Sequence, residues 1–491
     1  MGKRVAHGLT VPLGVALAVV GLAVGALGLR SSPAGVRPAA TAVVNADRPG
    51  IDAHNSPAVA VHPHRSLVIA AADRIDTPRF SCSVYLSRTG GETWSPLALP
   101  RPLEAPNCYW PDVAFDEDGN LLVLYTATGG RYNQPVGVWL QRYQDDSPLG
   151  APARVAGSEA FHAHFTVHGR RVLVAWVQAR PENADRPLGF LPPPNPVMLA
   201  RSEDGGLTFS APVQVSEPDR RLAQPSVLVT AGGRVVLGAL DLAEDAFNYE
   251  AEHEGQGGPP PEGTWRIVGW QSADGGASFG PASVVAEGLD IPERVIVDLM
   301  PGPSFAVEPG TDRLYATWDA GKGEARDVFL ARSPDGGGTW TPPVRLGPVA
   351  GSQFLPAVGV APGGRVDVVF YDRSRDRSGA MAEVVVGSSW DSGQTFTTAV
   401  ASEKPFDSRI GLGSAQGLPQ LGNQLAVASR SGGFLALWAD TTAGNQTTNL
   451  QDLAVASVVA RPAGGRSWPL LAMGGVLVVA GLMTLLVGRR G

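Results

Sequence analysis

Charge is what this chain has least of. Only 17% of its 491 residues are charged, and three of its 39 basic residues, Lys3, Lys322 and Lys404, are the whole lysine content. The net charge of −7 leaves no basic surplus to neutralise phosphates, which argues against nucleic acid as a partner. Cysteine is limited to Cys82 and Cys108, and aromatics to 7%. What fills the space is glycine and proline, 61 and 42 residues, within a chain that is 44% hydrophobic. That balance suits a large core built from many short strands and turns, not from long helices.

Long apolar runs are confined to the two ends. Residues 9–29 carry no Asp, Glu, Lys or Arg and follow Lys3 and Arg4. The run exceeds an ordinary signal h-region, so residues 1–30 read as a signal peptide or a signal anchor. Residues 469–488 read as a transmembrane helix, followed at once by Arg489 and Arg490 in a short cytoplasmic tail, 489–491. Positive residues at the outer end of both runs place the termini in the cytoplasm and residues 31–468 outside the cell membrane. Residues 31–39 and 461–468, coloured by Pro, Gly, Ala and Ser, read as a linker and a tether. In an exported domain the Cys82 and Cys108 pair invites a disulfide. It would close a loop of roughly 25 residues and stabilise by about 3–4 kcal/mol.

Between the ends, one pattern occurs five times: Ser-x-Asp-x-Gly-x-Thr/Ser-Trp/Phe. Ser202–Phe209, Ser333–Trp340 and Ser389–Phe396 are close to perfect, Ser272–Phe279 has Ser for Thr, and Ser87–Trp94 has Thr89 in the Asp place. The pattern predicts a hairpin turn. Asp204, Asp274, Asp335 and Asp391 cap backbone N–H groups, glycines accept positive φ, and the final aromatic anchors the next strand. The box resembles the Asp-box of the bacterial neuraminidase (sialidase) repeat family, whose members are β-propellers. In that family the boxes are structural, so the resemblance implies a fold and not by itself a reaction.

Each box sits in a longer unit of four alternating strands with a period of roughly 55–60 residues, the signature of a propeller blade. Units open at Pro57, Pro111, His162, Pro225, Pro303 and Pro356, and the second has a decayed box at 144–150. A last unit, with QLAVAS, FLALWAD and DLAVASVVA, lacks a fourth strand, whereas Ala40–Asn45 is a fourth strand without a blade. Pairing the two closes the ring and leaves no open edge. The expected fold is therefore an all-β propeller over 40–460 with seven blades. Six, the usual number in the family, is the alternative.

Boxes and strand 1–2 turns share one face. The opposite face carries the strand 2–3 loops, the blade connections and an acidic Gly/Pro-rich insertion, Asp241–Gly263. Candidate ligand residues at the ends of second strands are Asp73, Arg74, Trp176, Asp319, Tyr371, Asp372 and Arg373. Aromatic faces stack on sugars and guanidinium pairs with carboxylate, so the set suits a carbohydrate or other cell-surface ligand. The competing reading is that the recurring aromatic–Asp belongs to the repeat and bonds neighbouring blades.

The resemblance also supplies a test. Enzymes of that family hold the substrate carboxylate with three arginines, use a Tyr nucleophile polarised by a Glu, and carry the first arginine in an Arg-Ile-Pro motif. Here the matching region reads Ile51-Asp-Ala-His-Asn-Ser-Pro57, and Arg74, Arg266 and Arg409 are followed by Ile-Asp, Ile-Val and Ile-Gly. No catalytic role transfers. His162 and His164 are placed on the channel side of an innermost strand without a third ligand, so neither metal nor cofactor is implied. Asp116–Asn120 reads as a hairpin turn more readily than as a calcium loop. The expected function is recognition of glycans or cell-surface ligands without sialidase activity. A glycoside hydrolase and a protein-binding scaffold are the alternatives.

Overall fold

The structure, a computed structural model, describes residues 15–20, 22, 34–45, 52–76, 80–130, 134–179, 194–242, 263–290, 302–322, 325–347, 350–411, 421–463, 476–480 and 482–483. Two units are distinguished, 36–459 and the two chain ends, 1–35 with 460–491.

The larger unit is a propeller of seven antiparallel sheets, so seven blades and not six. The innermost strands, in order, are His54–Val61, Asn107–Phe115, Ala160–His168, Leu222–Val229, Ser304–Val307, Gln353–Val360 and Ala426–Arg430. Second strands are enclosed on both faces by the neighbouring blades. Leu121–Gly129 and Val366–Asp372 are buried at every position, which is why they are mostly apolar and why the buried Asp367 is paired with Arg365.

The ring closes as expected. Ala42 and Val43 pair with Val455 and Ala454 of the last strand, Asp452–Arg461. Asn45 reinforces the seam: its Nδ2 donates to Asp452 Oδ1 at 3.0 Å, and its Oδ1 accepts Leu453 N–H at 2.8 Å. Gly35–Pro38 pairs with the same strand, so the propeller begins inside the stretch read as linker. Pro38 is tolerated because this is the outermost, edge position of the blade.

The apolar core lies between blades. One cluster joins Leu122, Leu124 and Leu140 of blade 2 to Val172, Val174 and Trp176 of blade 3. Another joins Ile69, Ala71 and Tyr85 of blade 1 to Leu435, Leu437 and Val455 of blade 7. The repeated boxes lock the same interfaces. The second glycine of a box has positive φ and lies against an aliphatic side chain of the preceding blade. A Cβ on Gly276 would stand 2.7 Å from Leu199 Cδ2, and one on Gly393 the same from Leu330 Cδ2. Nothing larger fits.

Within each box the carboxylate does what the pattern predicts. Asp204 Oδ1 accepts from Leu207 N–H at 3.0 Å and Thr208 N–H at 2.9 Å, while Oδ2 accepts from Thr208 Oγ1 at 2.6 Å. In blade 1, Thr89 substitutes through a neutral oxygen, accepting Thr93 N–H at 2.9 Å. Gly205 N–H reaches Arg170 O at 2.9 Å, which puts box and strand 1–2 turn on one face. Asp116 likewise caps a turn, its Oδ1 accepting Asn120 N–H at 2.8 Å.

Cys82 and Cys108 form the expected disulfide, with Cα atoms 5.5 Å apart, between blades 1 and 2. Among the described residues no helix is long and apolar enough to cross a membrane. Short helical pieces, 15–20 and 476–480, are described within the two terminal apolar runs, and most of those runs lies outside the described residues. So does nearly all of the insertion, 243–262.

Candidate functional site

Five of the seven innermost strands share a defect at one position. Ser56, Trp110, His162, Gln224 and Leu355 all have positive φ, between 46° and 51°. At each, the pairing register slips by a bulge. Pro57, Pro111, Pro225 and Pro356 follow four of the five. Proline fits there because a bulge on a channel-side edge needs no N–H for the ladder. Four of the five prolines that open the sequence units therefore mark a bulge inside the strand, whereas Pro303 stands immediately before its strand, Ser304–Val307.

The seven innermost strands enclose a cavity of ≈ 180 Å³ on the propeller axis. Trp110, His162, Gln224 and Asn423 line it near the start of the strands, the end that faces away from the boxes. Deeper in lies a ring of one residue per blade: Ala58, Asp112, His164, Ser226, Ser304, Ala357 and Ala426. Blades 2 to 5 thus present a polar crescent, and blades 6, 7 and 1 an apolar one.

The crescent is organised by the free edge of each innermost strand. Asp112 Oδ2 accepts Phe165 N–H of the next blade at 3.4 Å, His164 Nδ1 accepts Val227 N–H at 3.3 Å, and Ser304 Oγ accepts Val358 N–H at 3.2 Å. Side chains satisfy the edge donors that no further strand reaches. Because His164 Nδ1 accepts, Nε2 carries the hydrogen, 3.5 Å from Asp112 Oδ2. Burial pushes the Asp112 carboxyl above its ordinary range, against the pull of His164. Burial, then the charge of Arg74, pushes His162 down to about 3, so its ring is neutral at physiological pH. An aromatic arc borders the mouth: Trp110 packs on His162 at 4.2 Å and on Tyr109 at 4.4 Å, and Phe80 on Tyr109 at 5.5 Å. His162 and His164 both line the cavity, as their placement on the channel side predicts. Among the described residues no three His, Cys, Asp or Glu side chains converge as a metal site.

The second-strand candidates lie elsewhere. Asp73 accepts from His54 Nδ1 at 2.5 Å, and Arg74 Nε pairs with Asp76 Oδ1 at 2.7 Å while its guanidinium covers the Tyr109 ring. Trp176 Nε1 donates to Gln178 Oε1 at 2.9 Å inside the core. Asp319 accepts from Arg326 Nε at 2.5 Å and from Leu355 N–H of the next blade at 3.3 Å. Tyr371 is wholly buried, and burial pushes its phenol well above the usual range. Asp372 accepts from Gln353 Nε2 at 3.1 Å, and Arg373 donates to Gly379 O at 3.1 Å with Phe354 beneath it. All seven are buried, and none lines the axial cavity. The competing reading, repeat residues that bond strands and blades, is the one their partners fit. The end of a second strand is covered on both faces, so a polar side chain there must find a partner.

No protein-family model and no curated protein matches the chain. Solved structures do. An ulvan lyase of a polysaccharide lyase family, bound to -[GlcA(1-4)Rha3S]-, is 12% identical, covers 89% of this chain and 99% of its own, and has a TM-score of 0.50. A Hadza microbial sialidase is 14% identical over 80% of this chain and 74% of its own, with a TM-score of 0.44. An α-L-arabinanase of Penicillium chrysogenum is 13% identical over 86% and 98%, at 0.42. At these identities the likeness shows the fold alone, shared with glycan-processing enzymes.

Trp110, Asp112, Gln224 and Asn423 escape a reading based on strand ends. The signal for the first three was their place beside a unit-opening proline, Pro111 or Pro225. Asn423 has no such mark, because it precedes its strand.

Proposed function

We propose that this protein is a membrane-anchored, extracytoplasmic propeller that recognises carbohydrate on the face opposite its boxes, without sialidase chemistry. The observation that carries the reading is the axial cavity: aromatic and polar side chains, with Asp112, line it, and no arginine is among the described lining residues. The Tyr371, Asp372 and Arg373 trio, the nearest local match to a sialidase centre, is consumed inside the fold. A glycoside hydrolase of another specificity needs a carboxylate pair, and the described lining offers Asp112 alone.

Anchoring is supported by the apolar side chains that the terminal helical pieces expose. Val15, Val19, Val476 and Val479 are each about half exposed or more, an arrangement suited to lipid. Shaving intact cells with protease should release the domain; a domain protected until lysis refutes the topology. For the ligand, the full chain in detergent is applied to a glycan array and to fluorogenic glycosides that include a sialoside. Binding without turnover is expected. Turnover of any glycoside overturns the non-enzymatic reading, and a silent array with a captured protein favours a scaffold.

A further inference from the structure

We propose that the axial cavity seats one neutral, hydroxyl-bearing sugar ring and discriminates against acidic sugars. This rests on the carbohydrate reading above and adds the class of ligand and its seat. Size comes first. At ≈ 180 Å³ the cavity is smaller than the roughly 300–1,000 Å³ of sites for drug-sized ligands, and it suits a single ring.

The lining has the two-sidedness of such a ring. Asp112, His164, Ser226 and Ser304 form one wall and Ala58, Ala357 and Ala426 the other. A sugar ring likewise has a hydroxyl edge that exchanges hydrogen bonds and C–H groups that pack on apolar surface. Two further groups point to a ligand. Asn423 is 2% exposed and lines the cavity, yet neither its Nδ2 nor its Oδ1 has a partner. Trp110 Nε1 is buried in the same lining without an acceptor. A buried amide and indole N–H left unpaired are costly, and a hydroxyl satisfies both donor and acceptor.

Charge decides the class. Among the described residues Asp112 is the single carboxylate in the lining, and no lysine or arginine accompanies it. Arg74 pairs with Asp76, Arg326 pairs with Asp319, and Arg373 donates to Gly379 O. An acidic sugar would meet the Asp112 carboxyl and N–H donors, with no guanidinium or ammonium among the described lining residues to pair with its charge.

The experiment is calorimetry on the full chain in detergent with methyl glycosides of galactose, mannose and arabinose against methyl glucuronide and the methyl glycoside of sialic acid. At least one neutral glycoside should bind and neither acidic one should. Asn423→Leu should weaken that binding at least tenfold with an unchanged or raised melting temperature, since Asn423 side-chain atoms have no bonds to lose. Trp110→Phe removes only the N–H group and part of the ring, and should weaken it several-fold. Binding of acidic glycosides alone, or neutral binding indifferent to both substitutions, overturns this inference while the carbohydrate reading stands. Silence toward every glycoside and on the array overturns both.

Discussion

Tyr371 of blade 6 and Ala439 of blade 7 are bonded twice: the phenol donates to Ala439 O at 3.1 Å and accepts Ala439 N–H at 3.0 Å. A side chain that satisfies a buried backbone donor and acceptor in the next blade is a clasp, not a nucleophile. Tyr371→Phe should therefore destabilise the protein by about 1–3 kcal/mol, the usual cost of leaving buried polar groups unpaired. Ligand binding should be retained. Urea unfolding and calorimetry on one preparation separate the two, and binding lost at unchanged stability would restore Tyr371 as a site residue.

The boxes predict a response to acid. In Asp204 the bonds from Thr208 hold the carboxyl below its ordinary range, and in Asp274 those from Ser278 do the same. In Asp335, desolvation opposes the shift but the bonds from Thr339 outweigh it. Carboxyls depressed in the fold stabilise fully above their unfolded value of about 3.9, and that contribution drains away as pH falls through it. Asp335→Ala should lower stability by about 0.5–2 kcal/mol at pH 7, as loss of a capping side chain does, and reduce the loss of melting temperature below pH 4. Ligand affinity should not change.

His162 adds a separate window. Its folded value of about 3 lies below an unfolded value near 6.5, so the stability tied to its neutral form is complete above that pH. It falls progressively as pH drops from about 6.5 toward 3. Melting curves between pH 7.5 and 5 should show this decline, and His162→Gln should flatten it.

The seam between the chain ends should be a weak point by design of the topology. Asn45→Ala removes bonds to both Asp452 and Leu453, and a loss of about 1–3 kcal/mol is expected. Deleting residues 35–45 exposes the edge of Asp452–Arg461 and should yield edge-to-edge oligomers in size-exclusion chromatography. A monodisperse deletion variant of unchanged stability would contradict closure through this strand.

The disulfide is expected to matter to stability in the oxidised state. Cys82→Ser with Cys108→Ser should lower unfolding free energy by about 3–4 kcal/mol, read from the urea midpoint. The bridge joins residues 26 apart in sequence across blades 1 and 2.

The amino-acid order alone determined the turns and the blades and favoured seven of them, and the seven sheets of the ring excluded the alternative of six. A hairpin turn is local chemistry, so Ser202–Phe209 and its copies announce it within eight residues. An orphan strand and a three-strand unit can be matched by counting, and Ala42 and Val43 duly pair with the last blade. The site is another matter. Asp319 and Arg373 read as ligand residues because aromatic, acidic and basic side chains recur at strand ends, but recurrence is what a structural role also produces. Only the closed ring shows where they lie: it buries those side chains and brings Asp112, His164 and Asn423 to one axial cavity. Residues from seven blades meet there at separations of hundreds of positions, and the bulges that aim Trp110 and His162 depend on backbone pairing that no short stretch encodes.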